Sequence, residues 1–557
     1  MKQYFLILAC IFFCTLQGSN PTAFDTSFNN IGYVEQSLGA TQAAGQNSVL
    51  MQADGKTISI GVTSDTTHTG YNAIVIIRYL SDGTIDTSYG TEGITYTSFD
   101  YNTYAYAAAI QADGKVVVVG TTSGTISSTF YNSVLFVARF TTAGALDNTF
   151  NTVGYAIAQV ETNYNAATGV AINSATGDIF VSGYSIKNSP SYREIFIYSY
   201  NSNGTLNTGT FGSNGYIIVS PPSGYLQTTG TSPAVQDDGK IIVAGSVCAS
   251  SSLSGSNLQL ALFRYNSDGS VDTTFGNSNG YVIFNEYANY PYSSGQGIAL
   301  QPNGSIIVSG SAITTSGNQQ IMTARYLTDG TIDTSFNGTG YNVTTIPNSS
   351  LSIGIKPLLE PSGKIIAGGY ATFSGSINNI LLVRYNQDGT LDTSLNSNGY
   401  MLSDINGEST TLRSNTIQTD GKLVIVAQTT ADNNDSMITI RYLGGNLLEG
   451  STSAISAYGT NANLFQEFLY IDFYATIITD PTAQAVTILA INTILTDYAT
   501  AYVNQPDFNY LLYLYLLEEQ FIEAKADLLV SYSESTTEIN QFFMYLNDRI
   551  TKLSNQS

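Results

Sequence analysis

From about residue 24 to residue 445 the chain repeats one hydrophobic pattern about every 60 residues. A short apolar run leads into a turn ending in Gly. A β-branched run follows, then a second apolar run closing on Arg-Tyr, and then a second Gly turn. The first turn reads Gln52–Ala53–Asp54–Gly55–Lys56 and recurs at Gln111–Lys115, Gln236–Lys240, Gln301–Ser305 and Gln418–Lys422, with weaker copies at Gly177 and Gly363. The second runs from Arg78 through Gly83 and Asp86 to Tyr89, and returns at Gly144, Gly204, Gly269, Gly330 and Gly389. Apolar runs joined by a three-residue loop ending in Gly predict hairpins, because that last loop position is left-handed.

Two hairpins per period supply four antiparallel strands. Repetition at a fixed period predicts an all-β seven-bladed β-propeller over 20–445, with a solenoid as the alternative. Ring closure is favoured by how the repeats start and stop. Segments like Asp-Thr-Ser-Phe begin at 25, 86, 147, 207, 272, 333 and 392, and the last repeat stops after Arg441–Tyr442. The segment at Asp25 then completes the last blade. Arg five positions before the turn Gly and Asp three positions after it face each other across such a loop, predicting pairs Arg78–Asp86, Arg139–Asp147, Arg264–Asp272, Arg325–Asp333 and Arg384–Asp392. In the third repeat both charges are replaced together, by Ser199 and Asn207. Arg441 lacks a downstream Asp at this spacing, so Asp25 is its expected partner, at the roughly 0.2–1 kcal/mol of a cross-strand pair.

The motif Gln-x-Asp-Gly-Lys with its apolar run, followed by Arg-Tyr-x-x-Asp-Gly-Thr-x-Asp-Thr-Ser-Phe, resembles the delta-60 repeats of bacterial secreted proteins over about Phe24 to Gly445. That resemblance implies propeller repeats and no particular reaction. The third repeat departs most, with Gly177–Asp178 in place of Gly-Lys.

The ends of the chain read differently. Lys2, an apolar run Tyr4–Phe13 and a polar stretch to Ser19 read as a cleaved secretion signal over 1–19, the run being shorter than the roughly 18 to 20 residues that span a bilayer. Its removal leaves Cys248 as the single cysteine of the mature chain, so no intrachain disulfide is expected. Export places the protein in the periplasm, at the cell surface or outside the cell. After a Gly/Ser/Asn-rich linker, 446–462, helical periodicity predicts a small all-α bundle over 463–557, with helices near 462–479, 481–503, 506–533 and 536–553. No transmembrane segment is expected in the mature chain.

Composition narrows the chemistry. Only 11% of residues are Asp, Glu, Lys or Arg and the formal charge is −22, which argues against nucleic acid or an anionic membrane as partner. His68 is the sole histidine and lies in a Thr-rich loop, so a His-based triad is disfavoured, and zinc sites of Cys and His are excluded by count. The recurrent Asp-Gly is ordinary turn chemistry, so no metal and no cofactor are expected. Both Gly turns fall on one end of the blades, whereas the loops at the other end vary. They carry Asp100, Tyr101 and Tyr104, Tyr164, Tyr225, and Glu286, Tyr287, Tyr290 and Tyr292. Tyr among Ser, Gly and Asn suits a binding surface, although packing over blade edges is the more ordinary explanation. The leading expectation is a non-enzymatic binding module whose variable face contacts a glycan or protein. The alternatives are a polysaccharide-active propeller enzyme (glycosidase or lyase), which needs a carboxylate cluster at the channel, and a purely structural envelope scaffold.

Overall fold

The computed structural model describes residues 24–36, 45–64, 69, 71–99, 101–126, 129–160, 164–188, 191–250, 257–285, 288–360, 362–418, 421–431, 434–443, 478, 480–498, 510–532 and 536–556. The fold is propeller-like and mostly β, with four-stranded antiparallel sheets and three helices at the C-terminal end among the described residues. Five sheets have four strands. One has eight, and consists of two groups of four joined by a single parallel bridge between Gln319 and Leu351. The first group is typical: Gly45–Met51, Thr57–Thr63, Ala73–Tyr79 and Ile94–Thr97 pair in chain order.

The middle two strands of each group carry the main apolar runs because both of their faces are covered. Thr57–Thr63 and Ala73–Tyr79 are buried at every residue, whereas the outer strand Ile94–Thr97 is half-buried throughout. Continuous apolar runs, without strict alternation, are the mark of strands buried on both sides. First strands lie side by side from group to group, from Gly45–Met51 round to Ser409–Ile417, which again neighbours Gly45–Met51.

The last sheet is composite. Ser409–Ile417, Leu423–Ala431 and Asn434–Tyr442 are completed by the N-terminal strand Tyr33–Gln36, which runs antiparallel to the last of them with Tyr33 opposite Ile440.

Each first strand carries a register shift at the same place, between Gln46 and Ser48 in the first group and between Leu412 and Ser414 in the last. A bulge adds local twist and bends the strand. It also favours a small residue on the facing strand: a Cβ at Gly120 or Gly310 would lie 1.9 Å from the carbonyl oxygen of Tyr104 or Ser294, and the last group has Ala427 at that position.

Helices α1 (Pro481–Tyr498), α2 (Tyr510–Ser531) and α3 (Thr536–Gln556) pack consecutively, α1 on α2 and α2 on α3. Asp480 caps α1, its Oδ1 accepting from the Ala483 amide at 2.6 Å, ahead of the first-turn proline. α3 buries Ile539, Phe542, Phe543, Leu546 and Ile550, one stripe at helical spacing, and extends three residues past the expected end at 553. No described helix is long and apolar enough to cross a membrane. The expected signal segment, the linker, nearly all of the helix expected at 462–479, and His68 lie outside the described residues.

Candidate functional site

The two turn motifs of each group meet at one end of the sheet, where they build a joint to the next group. Arg78 Nε donates to Asp86 Oδ2 at 2.8 Å, and its guanidinium lies 4.5 Å from the centre of the Tyr89 ring. Its Nη1 reaches the carbonyl of Thr142, in the second turn of the next group, at 2.7 Å. The pattern repeats. Arg139–Asp147 (2.8 Å), Arg264–Asp272 (2.7 Å) and Arg325–Asp333 (2.7 Å) pair the same way, over Phe150, Phe275 and Phe336, and reach the carbonyls of Ser202, Thr328 and Gln387. Arg384 pairs with Asp392 at 2.6 Å. In the third group Asn207 Nδ2 donates to Ser199 Oγ at 2.8 Å, a neutral replacement of the ion pair.

Arg441 makes the same set of contacts across the two ends of the repeat region. Its Nε donates to Asp25 Oδ2 at 2.7 Å, its ring partner is Phe28, and its Nη1 donates to the carbonyl of Ser81 in the first group. The Asn29 amide adds a 2.7 Å bond to the Asp82 carbonyl. Arg441 and Asp25 are 4% and 5% exposed, so removing one partner strands a buried charge at a cost of about 3–5 kcal/mol, a quantity distinct from the pair's net contribution.

Two parts of this joint escape a reading of spacing alone. The Lys ending the first turn motif reaches the same Asp from another hairpin: Lys56 to Asp86 at 3.2 Å, Lys115 to Asp147 at 3.2 Å and Lys422 to Asp25 at 3.2 Å. The aromatic closing six of the Asp-Thr-Ser-Phe-like segments packs under the turn glycine of the next group, with Phe275 ring carbons 2.7 Å from a Cβ placed on Gly330; the segment at 392 closes on Leu395 instead. The third repeat, which has Asn207 at the Asp position, also lacks the Lys, with Asp178 in its place, but the fifth keeps Asp333 with Ser305 at the Lys position, so co-occurrence is only a partial signal of the Lys contact.

Burial pushes the carboxyls of Asp25, Asp86, Asp147 and Asp392 upward. The hydroxyl and amide of the Ser or Thr two residues on, together with the paired Lys and Arg, outweigh it and hold each at about 2. A carboxyl depressed on folding contributes stability that is present above its unfolded value near 4 and is lost as pH falls through its folded value. Urea midpoints should therefore hold steady down to about pH 4 and drop between about pH 4 and 2. A midpoint that rises on acidification through that window would contradict the assignment.

The opposite end carries the tyrosines. Tyr101 sits 6.1 Å from Tyr71, which is 39% exposed. Tyr164, 41% exposed, stacks on Tyr184 at 6.2 Å, and the Arg193 guanidinium lies 4.6 Å from the Tyr184 ring centre. Tyr104 is half-buried and accepts from Asn72 Nδ2 at 2.7 Å. Tyr225 donates to Gln259 Oε1 at 2.5 Å and packs on the core, as does Tyr290, which meets Tyr341 edge-on. Tyr292 is half-buried at the start of a first strand. Tyr71–Tyr101 and Tyr164–Tyr184 thus form two separate aromatic pairs, and Asp100, Glu286 and Tyr287 lie outside the described residues. Among the described residues no group of three or more His, Cys, Asp or Glu is placed to hold a metal ion.

Five segments, 52–89, 111–150, 236–275, 301–336 and 360–395, match the family described as "Domain of unknown function (DUF5122) beta-propeller". Each match spans one joint, from the first turn motif to the residue that closes the Asp-Thr-Ser-Phe segment. Among solved structures, the β-propeller domain of the Trilobed protease from Pyrococcus furiosus is 10% identical, with 71% of this chain and 93% of that one covered and a TM-score of 0.37. The polysaccharide lyase Uly1 is 11% identical, with coverage of 72% and 90% and a TM-score of 0.37. The gluconolactonase XC5397 from Xanthomonas campestris is 11% identical, with coverage of 72% and 87% and a TM-score of 0.31. These likenesses leave binding and enzymatic roles both open. No curated protein matches the chain. With its repeated joints and five matched segments, the chain is a β-propeller repeat protein.

Proposed function

We propose that the chain is an exported, non-enzymatic binding module built as a closed seven-bladed propeller, and that its variable face binds a glycan. The seven-blade reading is supported by the circular run of first strands and by the composite last sheet. The observation that carries the binding reading is the pair of exposed aromatic sites, Tyr71–Tyr101 and Tyr164–Tyr184, on the face away from the turn joints. Tyrosine rings offer a flat apolar surface to the C–H face of a sugar, and neighbouring Asn72 and Asn102 supply amide groups for its hydroxyls. The joint residues, in contrast, are committed to one another.

A glycan array probed with the full chain and with Tyr101→Ala/Tyr164→Ala tests this. The wild type should bind a defined glycan set, and the double variant should bind the same set about tenfold or more weakly with unchanged melting. Equal binding by the variant, or no glycan bound by the wild type, rejects the proposal; a protein partner would then be the occupant to seek.

A further inference from the structure

A cavity of about 1020 Å³ opens on the turn end, walled by the first strands of the first three and last two groups. Its aliphatic lining comes from equivalent positions, the last residues of those strands: Met51, Ile110, Ile172 and Ile417. One charged side chain interrupts this pattern. Immediately after the bulge the first strands carry Ser48, Ala107, Gly169, Ser232, Gly297 and Ser414, and only the sixth group carries a large residue there, Lys356. Small residues suit that position because the next inner strand runs close by; a Cβ on Gly297 would lie 2.7 Å from the Cα of Lys356 itself. Lys356 is among the residues lining the cavity.

Its ammonium has no hydrogen-bond or ion-pair partner among the described residues. The other charged residues on the wall are engaged. Lys422 and Arg441 both pair with Asp25, Asp113 pairs with Lys115 at 3.4 Å, and Asp82 accepts from the amide and hydroxyl of Thr84. Lys356 is half-buried, and burial pushes its amine below the usual lysine range. A half-buried ammonium with no counter-charge beside aliphatic walls favours a ligand that brings a negative charge.

We infer that this turn-end cavity binds a small organic carboxylate, its carboxylate on Lys356 and its apolar body against the aliphatic ring of Met51, Ile110, Ile172 and Ile417. The site lies at the other end of the blades from the tyrosines and stands or falls independently of them.

Calorimetric titration of the full chain with hexanoate near pH 7 tests it, with hexanamide as the uncharged control. Hexanoate should bind at one site, and hexanamide about tenfold or more weakly. Lys356→Met should lose hexanoate binding by about tenfold or more, while Lys356→Arg retains it, both with wild-type circular dichroism and melting. No binding of hexanoate up to about 10 mM, equal binding of the amide, or undiminished binding by Lys356→Met each overturns the inference.

Discussion

Phe28→Ala should cost about 3–5 kcal/mol of unfolding free energy, the range for truncating a fully buried aromatic. Phe28 is completely buried, although it lies near the start of the described chain, far in sequence from most of what covers it. The Arg441 guanidinium lies 4.8 Å from its ring centre, Tyr79 of the first group meets it at 6.4 Å, and its ring carbons fall 2.9 Å from a Cβ placed on Gly83. The substitution removes a plug between the last and first groups, so the loss should appear in urea unfolding and as faster amide exchange over Tyr33–Gln36. A cost below about 1 kcal/mol would mean that the N-terminal segment is only peripherally attached.

Arg441→Ser should be comparably damaging for a different reason. It leaves the Asp25 carboxylate, 5% exposed, with Lys422 as its remaining cation, and removes the bond to the Ser81 carbonyl. The expected cost is about 3–5 kcal/mol. The third group shows a neutral solution to the same geometry, Ser199 with Asn207. Adding Asp25→Asn to Arg441→Ser should accordingly recover part of the loss, because it removes the stranded charge. Urea midpoints of the two variants check this, and a double variant no more stable than Arg441→Ser would contradict it.

Much of this architecture is legible in the sequence because its turns depend on residues with few substitutes. Gly55 and Gly83 adopt φ of 79° and 85°, where a side chain is strained, so the repeat is punctuated visibly. The spacing of Arg78 and Asp86 around Gly83 follows from loop length alone. Less visible is what depends on register between distant hairpins. Lys56 meets Asp86 across thirty positions, and no local pattern links them. The inner-strand bulge leaves a small residue on the facing strand as its trace, Gly61 in the first group and Ala427 in the last, because the bulge itself takes varied residues, Asn47 in the one and Arg413 in the other. Lys356 becomes conspicuous only once the bulges align the seven strands. On the variable face, composition identifies tyrosines but does not sort them: Tyr225 and Tyr290 pack half-buried against the core, whereas Tyr164 remains exposed.

The two ends of the repeat region are joined within one sheet, and a double-mutant cycle on Asp25 and Arg441 tests that most directly. Unfolding free energies of the wild type, Asp25→Asn, Arg441→Ser and the double variant give the coupling between two residues 416 positions apart. A coupling of about 1.5 kcal/mol or more is the predicted result; additivity within about 0.3–0.5 kcal/mol would show that the two side chains do not meet, and would contradict the composite sheet.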